Sequence, residues 1–199
     1  MTKTKTLNNN RRQFLKSITM GIAAYGLSGK KLLSSPKNKN EFIVLDENSR
    51  IDLGKRAKTM APKAYDLGFR YEKKHRGCAR CTVAALQDAI DFIPINEDLF
   101  RAASCLDGGA TPDFSASCGA FTASGMMIGW VCGTGRFGDN SLSHDLIHKV
   151  HKHFVSEYGS VVCKHIRQSV DENCPKVVGN AAKWTTKILL EEFTNYEDI

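Results

Sequence analysis

Between Asp113 and Arg136 run 22 residues, Phe114 to Gly135, without one charged side chain. A segment of this kind belongs either in the middle of a protein core or inside a lipid bilayer, because nothing in it asks for water. Its many Gly, Ser and Thr residues favour the core. So does the length of its continuous apolar part, about 13 residues where a bilayer span needs roughly 20. The segment is therefore expected to be the central buried helix of a helical domain.

The flanking sequence supplies helices to surround it. Ile51 to Tyr71 reads as a first helix. Gly77 to Phe92 places Val83, Leu86, Ile90 and Ile93 at helical spacing, a stripe that faces a core. Asn96 to Leu106 is a shorter helix that runs into the Asp107-Gly108-Gly109 breaker. Ser141 to Tyr158 repeats Leu142, Leu146, Val150 and Phe154, with Gly159 as its stop. A short helical turn surrounds Cys163. Pro175 opens a last helix whose inner face is Val177, Ala181, Trp184 and Ile188. Apart from a short extended piece at Phe42 to Leu45, strand signals are missing. The reading is an all-α single-domain bundle of five to six helices with Gly-rich connections, covering residues 49–199.

Ahead of that domain, Arg11-Arg12-Gln13-Phe14-Leu15-Lys16 resembles the twin-arginine export signal, with Asn10 where the pattern has Ser or Thr. Ser17 to Gly29 is uncharged and moderately apolar, and Lys30-Lys31 closes it. A charged head, an apolar middle and a polar exit define a targeting segment over residues 1–35, followed by a linker at 36–48. The segment has no clean small-x-small cleavage site, so an uncleaved leader would tether the domain to a membrane. Nine of the 28 Lys and Arg fall in residues 1–40, with no Asp or Glu. The +7 of the whole chain thus becomes −2 over residues 41–199, 19 basic against 21 acidic residues. With the basic balance confined to the leader, and no arginine-rich run or zinc-finger spacing behind it, nucleic acid is not expected as a partner. The expected partners are the twin-arginine translocation machinery and an unidentified redox partner protein, and the expected location is periplasmic or otherwise extracytoplasmic.

Seven cysteines stand in the domain: Cys78, Cys81, Cys105, Cys118, Cys132, Cys163 and Cys174. Gly77-Cys78-Ala79, Gly108-Gly109, Cys118-Gly119-Ala120, Gly159 to Cys163, and Cys174 before the last helix occur in an order that resembles a redox-active protein family. That family is named for four cysteines and a Cys-Gly-Ala-x-x-Gly motif, and the resemblance runs from about Arg70 to Leu190. It implies that the four family cysteines are Cys78, Cys118, Cys163 and Cys174, with Cys81, Cys105 and Cys132 as additions. Here the motif ends in Ala123 rather than Gly, so an extra methyl occupies that position. A more distant similarity links the family to the domain of split-Soret cytochromes, which carry haem and an iron–sulfur centre. Covalent haem is not expected, because Cys78-Ala79-Arg80-Cys81 is followed by Thr82 instead of the axial His.

Three uses of these thiols compete. Four thiolates from separate helices meet the ligand requirement of an iron–sulfur cluster, and Gly-rich surroundings leave backbone N–H groups free to bond the sulfurs. On this reading Cys78, Cys118, Cys163 and Cys174 hold the cluster, with His165, two residues after Cys163, as a further candidate ligand. The second use is thiol–disulfide chemistry, with Cys78 and Cys81 as a CxxC pair at a helix start, or with the family cysteines. Structural disulfides are the plainer form of it, although seven leaves one thiol over. The third use is a closed zinc site or a purely structural, non-redox role, disfavoured by the single CxxC pair. The export signal favours the cluster, since substrates of this route commonly take up cofactors before they cross.

His144, His148 and His151 share one helix edge at i, i+4 and i+7, a spacing that could bind metal. Their position beside the apolar face favours a solvated flank. No P-loop, dinucleotide fingerprint, nucleophile elbow or HExxH motif is present. Asp107-Gly108-Gly109 is read as a turn, and no catalytic residue beyond the thiols is assigned.

Overall fold

The computed structural model describes residues 32–33 and 44–196; the Arg11-Arg12 motif, the Ser17 to Gly29 stretch and most of the expected linker lie outside them. Among the described residues the protein is all-α. Its helices are α1 (Ala57–His75), α2 (Cys78–Ala89), α3 (Glu97–Ala102), α4 (Gly119–Cys132), α5 (Ser141–Tyr158), α6 (Cys163–Ser169) and α7 (Cys174–Phe193). Among these residues the named strands are β1 (Leu32–Leu33) and β2 (Arg50–Ile51), a two-residue parallel pair in the register Leu32 to Arg50 and Leu33 to Ile51, with isolated bridges at Ile51–Thr194 and Ser117–Val162.

The first helix starts later than its apolar pattern suggests. Ile51 pairs with Leu33 and bridges Thr194, so the chain is extended there and turns helical only after a 3-10 turn at Gly54–Arg56. Leu45, in the stretch read as linker, is buried and donates its N–H to the Val131 carbonyl at 2.9 Å. The segment after Asn96 is α-helical only to Ala102 and tightens to 3-10 turns over Ala103–Cys105 and Asp107–Ala110.

The long helix α7 lies against α1, and the two backbones approach at small residues. A methyl added at Gly68 would stand 3.0 Å from the Val178 carbonyl oxygen, and one at Gly179 would stand 3.0 Å from the Tyr65 ring. Helix α4 fills the middle of the bundle as expected, with Ala120, Ala123, Met127, Ile128 and Val131 buried. Its one buried hydroxyl, on Ser124, donates to the Ala120 carbonyl at 2.9 Å. Val83 and Leu86 from α2, Leu146, Val150 and Phe154 from α5, and Leu189 and Leu190 from α7 complete the core, while Leu142 and Trp184 remain half-buried. Each large apolar side chain taken out of water contributes about 1.5–3 kcal/mol. No helix among the described residues is long and apolar enough to cross a membrane.

Candidate functional site

Four of the helices begin at a cysteine. Cys78 is the first residue of α2, Cys163 of α6 and Cys174 of α7, while Cys118 is the residue immediately before α4. These are the four family cysteines of the sequence pattern. The first turns of helices have N–H groups without intrahelical partners and the positive end of the helix dipole, both of which favour anionic sulfur.

Loop geometry brings the four starts together. Asp107 holds the start of α2: one carboxylate oxygen accepts the Ala79 N–H at 2.8 Å and the other accepts Arg80 Nε–H at 3.1 Å. Gly108 and Gly109 follow in the left-handed region, φ 66° and 71°, and this bend presents the Gly108 N–H to the Cys78 sulfur. What reads in sequence as a turn is thus a cap for one helix and a donor to its thiol. The segment before α4 is laced to the segment before α6: Cys118 N–H donates to the Val161 carbonyl at 2.8 Å, and Cys163 N–H to that of Ala116 at 2.9 Å. That ladder sets Cys118 beside Cys163. Arg167 of α6 lies over the Phe114 ring, 4.3 Å from its centroid, and pairs with Glu172 at 2.8 Å. Asp171 and Glu172 are themselves left-handed, φ 48° and 61°, in the tight reversal that delivers Cys174 to α7.

Cys78 is the hub of the group. The Cys118 thiol donates a hydrogen bond to the Cys78 sulfur, which lowers the Cys78 pKa below the usual thiol value. The same bond, together with burial, holds Cys118 protonated well above it, while the Ala120 and Phe121 N–H groups pull the other way. The bond runs between two buried sulfurs, with Cys118 as donor and Cys78 as acceptor. Burial pushes Cys163 up to about 11, with Cys78 and Cys174 adding to the shift and Arg167 opposing it. Cys174, half-buried, is raised by burial and then by Cys78 and Glu72, with Arg167 again opposing.

The remaining sequence candidates lie elsewhere. Cys81, the second cysteine of the CxxC pair, does not turn to Cys78. It is 3.5 Å from the Arg76 carbonyl and shares a hydrogen bond with Glu72, and burial and that carboxylate push it up to about 12. Cys132 is buried at the far end of α4 and Cys105 is exposed. All seven cysteines are free thiols. His165 is exposed, its Nδ1 3.2 Å from Ser160 Oγ. His144, His148 and His151 are exposed along α5, with His144 edge-on to His148 and His151 against Phe121. Among the described residues, no three His, Cys, Asp or Glu side chains are grouped as a single metal ion would require.

Glu72 escaped the sequence reading. It is 5 % exposed, Oε2 has no hydrogen-bond partner, and burial raises its pKa. A signal for it existed: Ala57, Ala61, Ala64, Gly68 and Glu72 follow one another at helical spacing on the buried stripe of α1. An acidic residue that continues a stripe of small buried residues is the exception worth noticing.

Fold and site together define an all-α protein with four thiols at helix starts, Cys78, Cys118 and Cys163 buried and Cys174 half-buried. The family model described as "Putative redox-active protein (C_GCAxxG_C_C)" matches residues 77–188, and the chain belongs to this redox-active family. The Gly-Cys-Ala order of that name stands here at Gly77-Cys78-Ala79, whereas Cys118 heads Cys-Gly-Ala. No curated protein and no solved structure matches the chain.

Proposed function

We propose that the protein is an exported electron-transfer or redox-accessory protein whose centre is a Cys-ligated iron–sulfur cluster held by Cys78, Cys118, Cys163 and Cys174. The observation that carries this reading is the placement of all four at helix starts, with Cys78 acting on each of the other three. The donor set fits such a group in kind: four thiols, a Gly108 N–H directed at one sulfur, and further N–H groups at the mouth of α4. When bound, the cluster would supply one-electron chemistry. The chain's own part is to exclude water around Cys118 and Cys163, to hold their sulfurs on rigid helix starts, and to set Arg167 beside Cys163 and Cys174 as a fixed positive charge. The expected result of purification without oxygen, followed by iron and acid-labile sulfide analysis and a visible spectrum, is a coloured protein with both elements. A colourless, iron-free product after anaerobic handling would end this reading.

The hydrogen-bonded Cys78–Cys118 pair supports a second reading, a dithiol–disulfide couple between those two residues instead of Cys78 and Cys81. Alkylation with mass mapping at controlled potential separates the two, because only the couple interconverts Cys78 and Cys118 together.

Export rests on Arg11-Arg12 with Phe14-Leu15-Lys16, which supports delivery to the periplasm by the twin-arginine route, with a membrane tether if the leader is retained. R11K/R12K should leave the protein in the cytoplasm on cell fractionation. An unchanged distribution would remove the twin-arginine assignment.

A further inference from the structure

The four-thiol group leaves one buried acid unexplained. Glu72 has a carboxylate oxygen shut away from water without a hydrogen-bond partner, a costly arrangement for a charge and a natural one for a group that changes protonation. Its surroundings are specific. Cys81 of α2 shares a hydrogen bond with the carboxylate, Arg80 of α2 and Arg76 of the α1–α2 turn act on it from the positive side, and Asp107 acts from the negative side. Cys78 and Cys174 of the four-thiol group feel its charge. Cys81 in turn lines a surface cavity of about 430 Å³, together with Tyr71, His75, Arg76, Arg80 and Phe100. Glu72 thus lies within electrostatic reach of Cys78 and Cys174 on one side and bonds Cys81, at the cavity, on the other, and neither Glu72 nor Cys81 belongs to the four.

We propose that Glu72 takes up one proton when the four-thiol centre is reduced and releases it on oxidation, the proton passing between Glu72 and the cavity at Cys81. The proposal rests on the reading of these four cysteines as the redox centre, not on which cofactor they carry. For a one-electron centre, an electron from a reduced viologen adds one negative charge, and the Glu72 carboxylate becomes a carboxylic acid with a proton from solvent. The buried region keeps its net charge. For a Cys78–Cys118 disulfide, two electrons break the S–S bond to give one thiolate and one thiol, taking up one proton, and Glu72 takes up the second. In both cases Glu72 accounts for one proton. Glu72 acts on the centre through space and is a positioning residue rather than a catalytic one.

The test is a redox titration of the full-length, anaerobically purified protein at a series of pH values, comparing wild type with E72Q. As pH rises through the range in which Glu72 titrates, the reduction equilibrium of the wild type should fall tenfold more per pH unit than that of E72Q. That difference is about 59 mV for one electron and about 30 mV for two. C81S, which keeps a donor to Glu72, should retain the wild-type slope. Equal slopes in wild type and E72Q overturn the proposal. A second readout needs no redox centre: without the negative neighbour that holds its proton, Cys81 should be alkylated at least tenfold faster in E72Q, and an unchanged rate overturns the Glu72–Cys81 link. Loss of iron with a surviving dithiol couple would remove only the cluster. A protein with no redox transition at all would overturn the reading of the centre and this proposal together.

Discussion

Gly119→Ala should destabilise the protein by about 1–3 kcal/mol, the range for forcing an extra methyl into a packed site, and should pull the cysteine centre apart. A methyl at this position would stand 2.6 Å from the Cys78 sulfur and 2.6 Å from the Leu106 carbonyl oxygen, with the Ala79 methyl 3.3 Å away. The sulfur has little freedom, because Cys78 begins α2 and is held by the Asp107 cap, and the carbonyl is backbone. Relief therefore requires α4 to move away from α2. Urea unfolding would report the lost stability, and alkylation under native conditions would report newly accessible Cys78 and Cys118. Gly129→Ala is the internal control: it lies in the same helix with no atom within 4 Å of the added methyl, and should be neutral or stabilising by up to about 1 kcal/mol. Equal stability of the Gly119→Ala variant and wild type would show that the close approach of α4 to Cys78 does not hold in solution.

Cys78→Ser should abolish the redox transition while leaving the bundle folded. Cys78 acts on each of the other three cysteines: it accepts the Cys118 proton, and it raises the pKa of both Cys163 and Cys174. Serine is only slightly smaller and keeps a hydrogen-bonding group, so the fold should lose no more than about 2 kcal/mol, but it offers neither a soft thiolate ligand nor half of a disulfide. Iron content and the amplitude of a redox titration would both fall to background. Cys105→Ser, at an exposed thiol, should change neither. A Cys78→Ser protein with the wild-type transition would place the centre elsewhere in the chain.

Helices whose boundaries are set locally were readable from sequence. Ser141–Tyr158 has the bounds its periodicity suggests, since its apolar stripe ends where Gly159 ends the helix. The uncharged segment is indeed the central helix. Boundaries set by distant partners were not readable. Ile51 shares the helical pattern of the residues after it, yet it is extended because Leu33 and Thr194 meet it there. At the site, the family resemblance singled out Cys78, Cys118, Cys163 and Cys174, and spacing along one helix offered Cys78 with Cys81 as an alternative thiol pair. The fold gives Cys78 a nearer partner 40 positions along the chain, Cys118, through loops whose left-handed residues, Gly108, Gly109 and Phe114, carry no periodic signal. Glu72 was hidden for a related reason. Beside Lys73 and Lys74 it reads as part of a solvated helix end, and only the approach of α2 and α7 buries it.

Apart from the Cys118 thiol itself, the donors to the Cys78 and Cys118 sulfurs are peptide groups, the Gly108 amide and the first turn of α4. That has an evolutionary consequence. A substitution can delete a side-chain donor, but it cannot delete a helix start without unfolding the helix, so the electrostatic support of the thiols is inherited with the topology itself. Sequences built on this plan are free to diverge widely at positions that neither carry sulfur nor touch it. Ala123 carries its methyl inside the core on α4, whereas Gly119, pressed against the Cys78 sulfur, has no room for one.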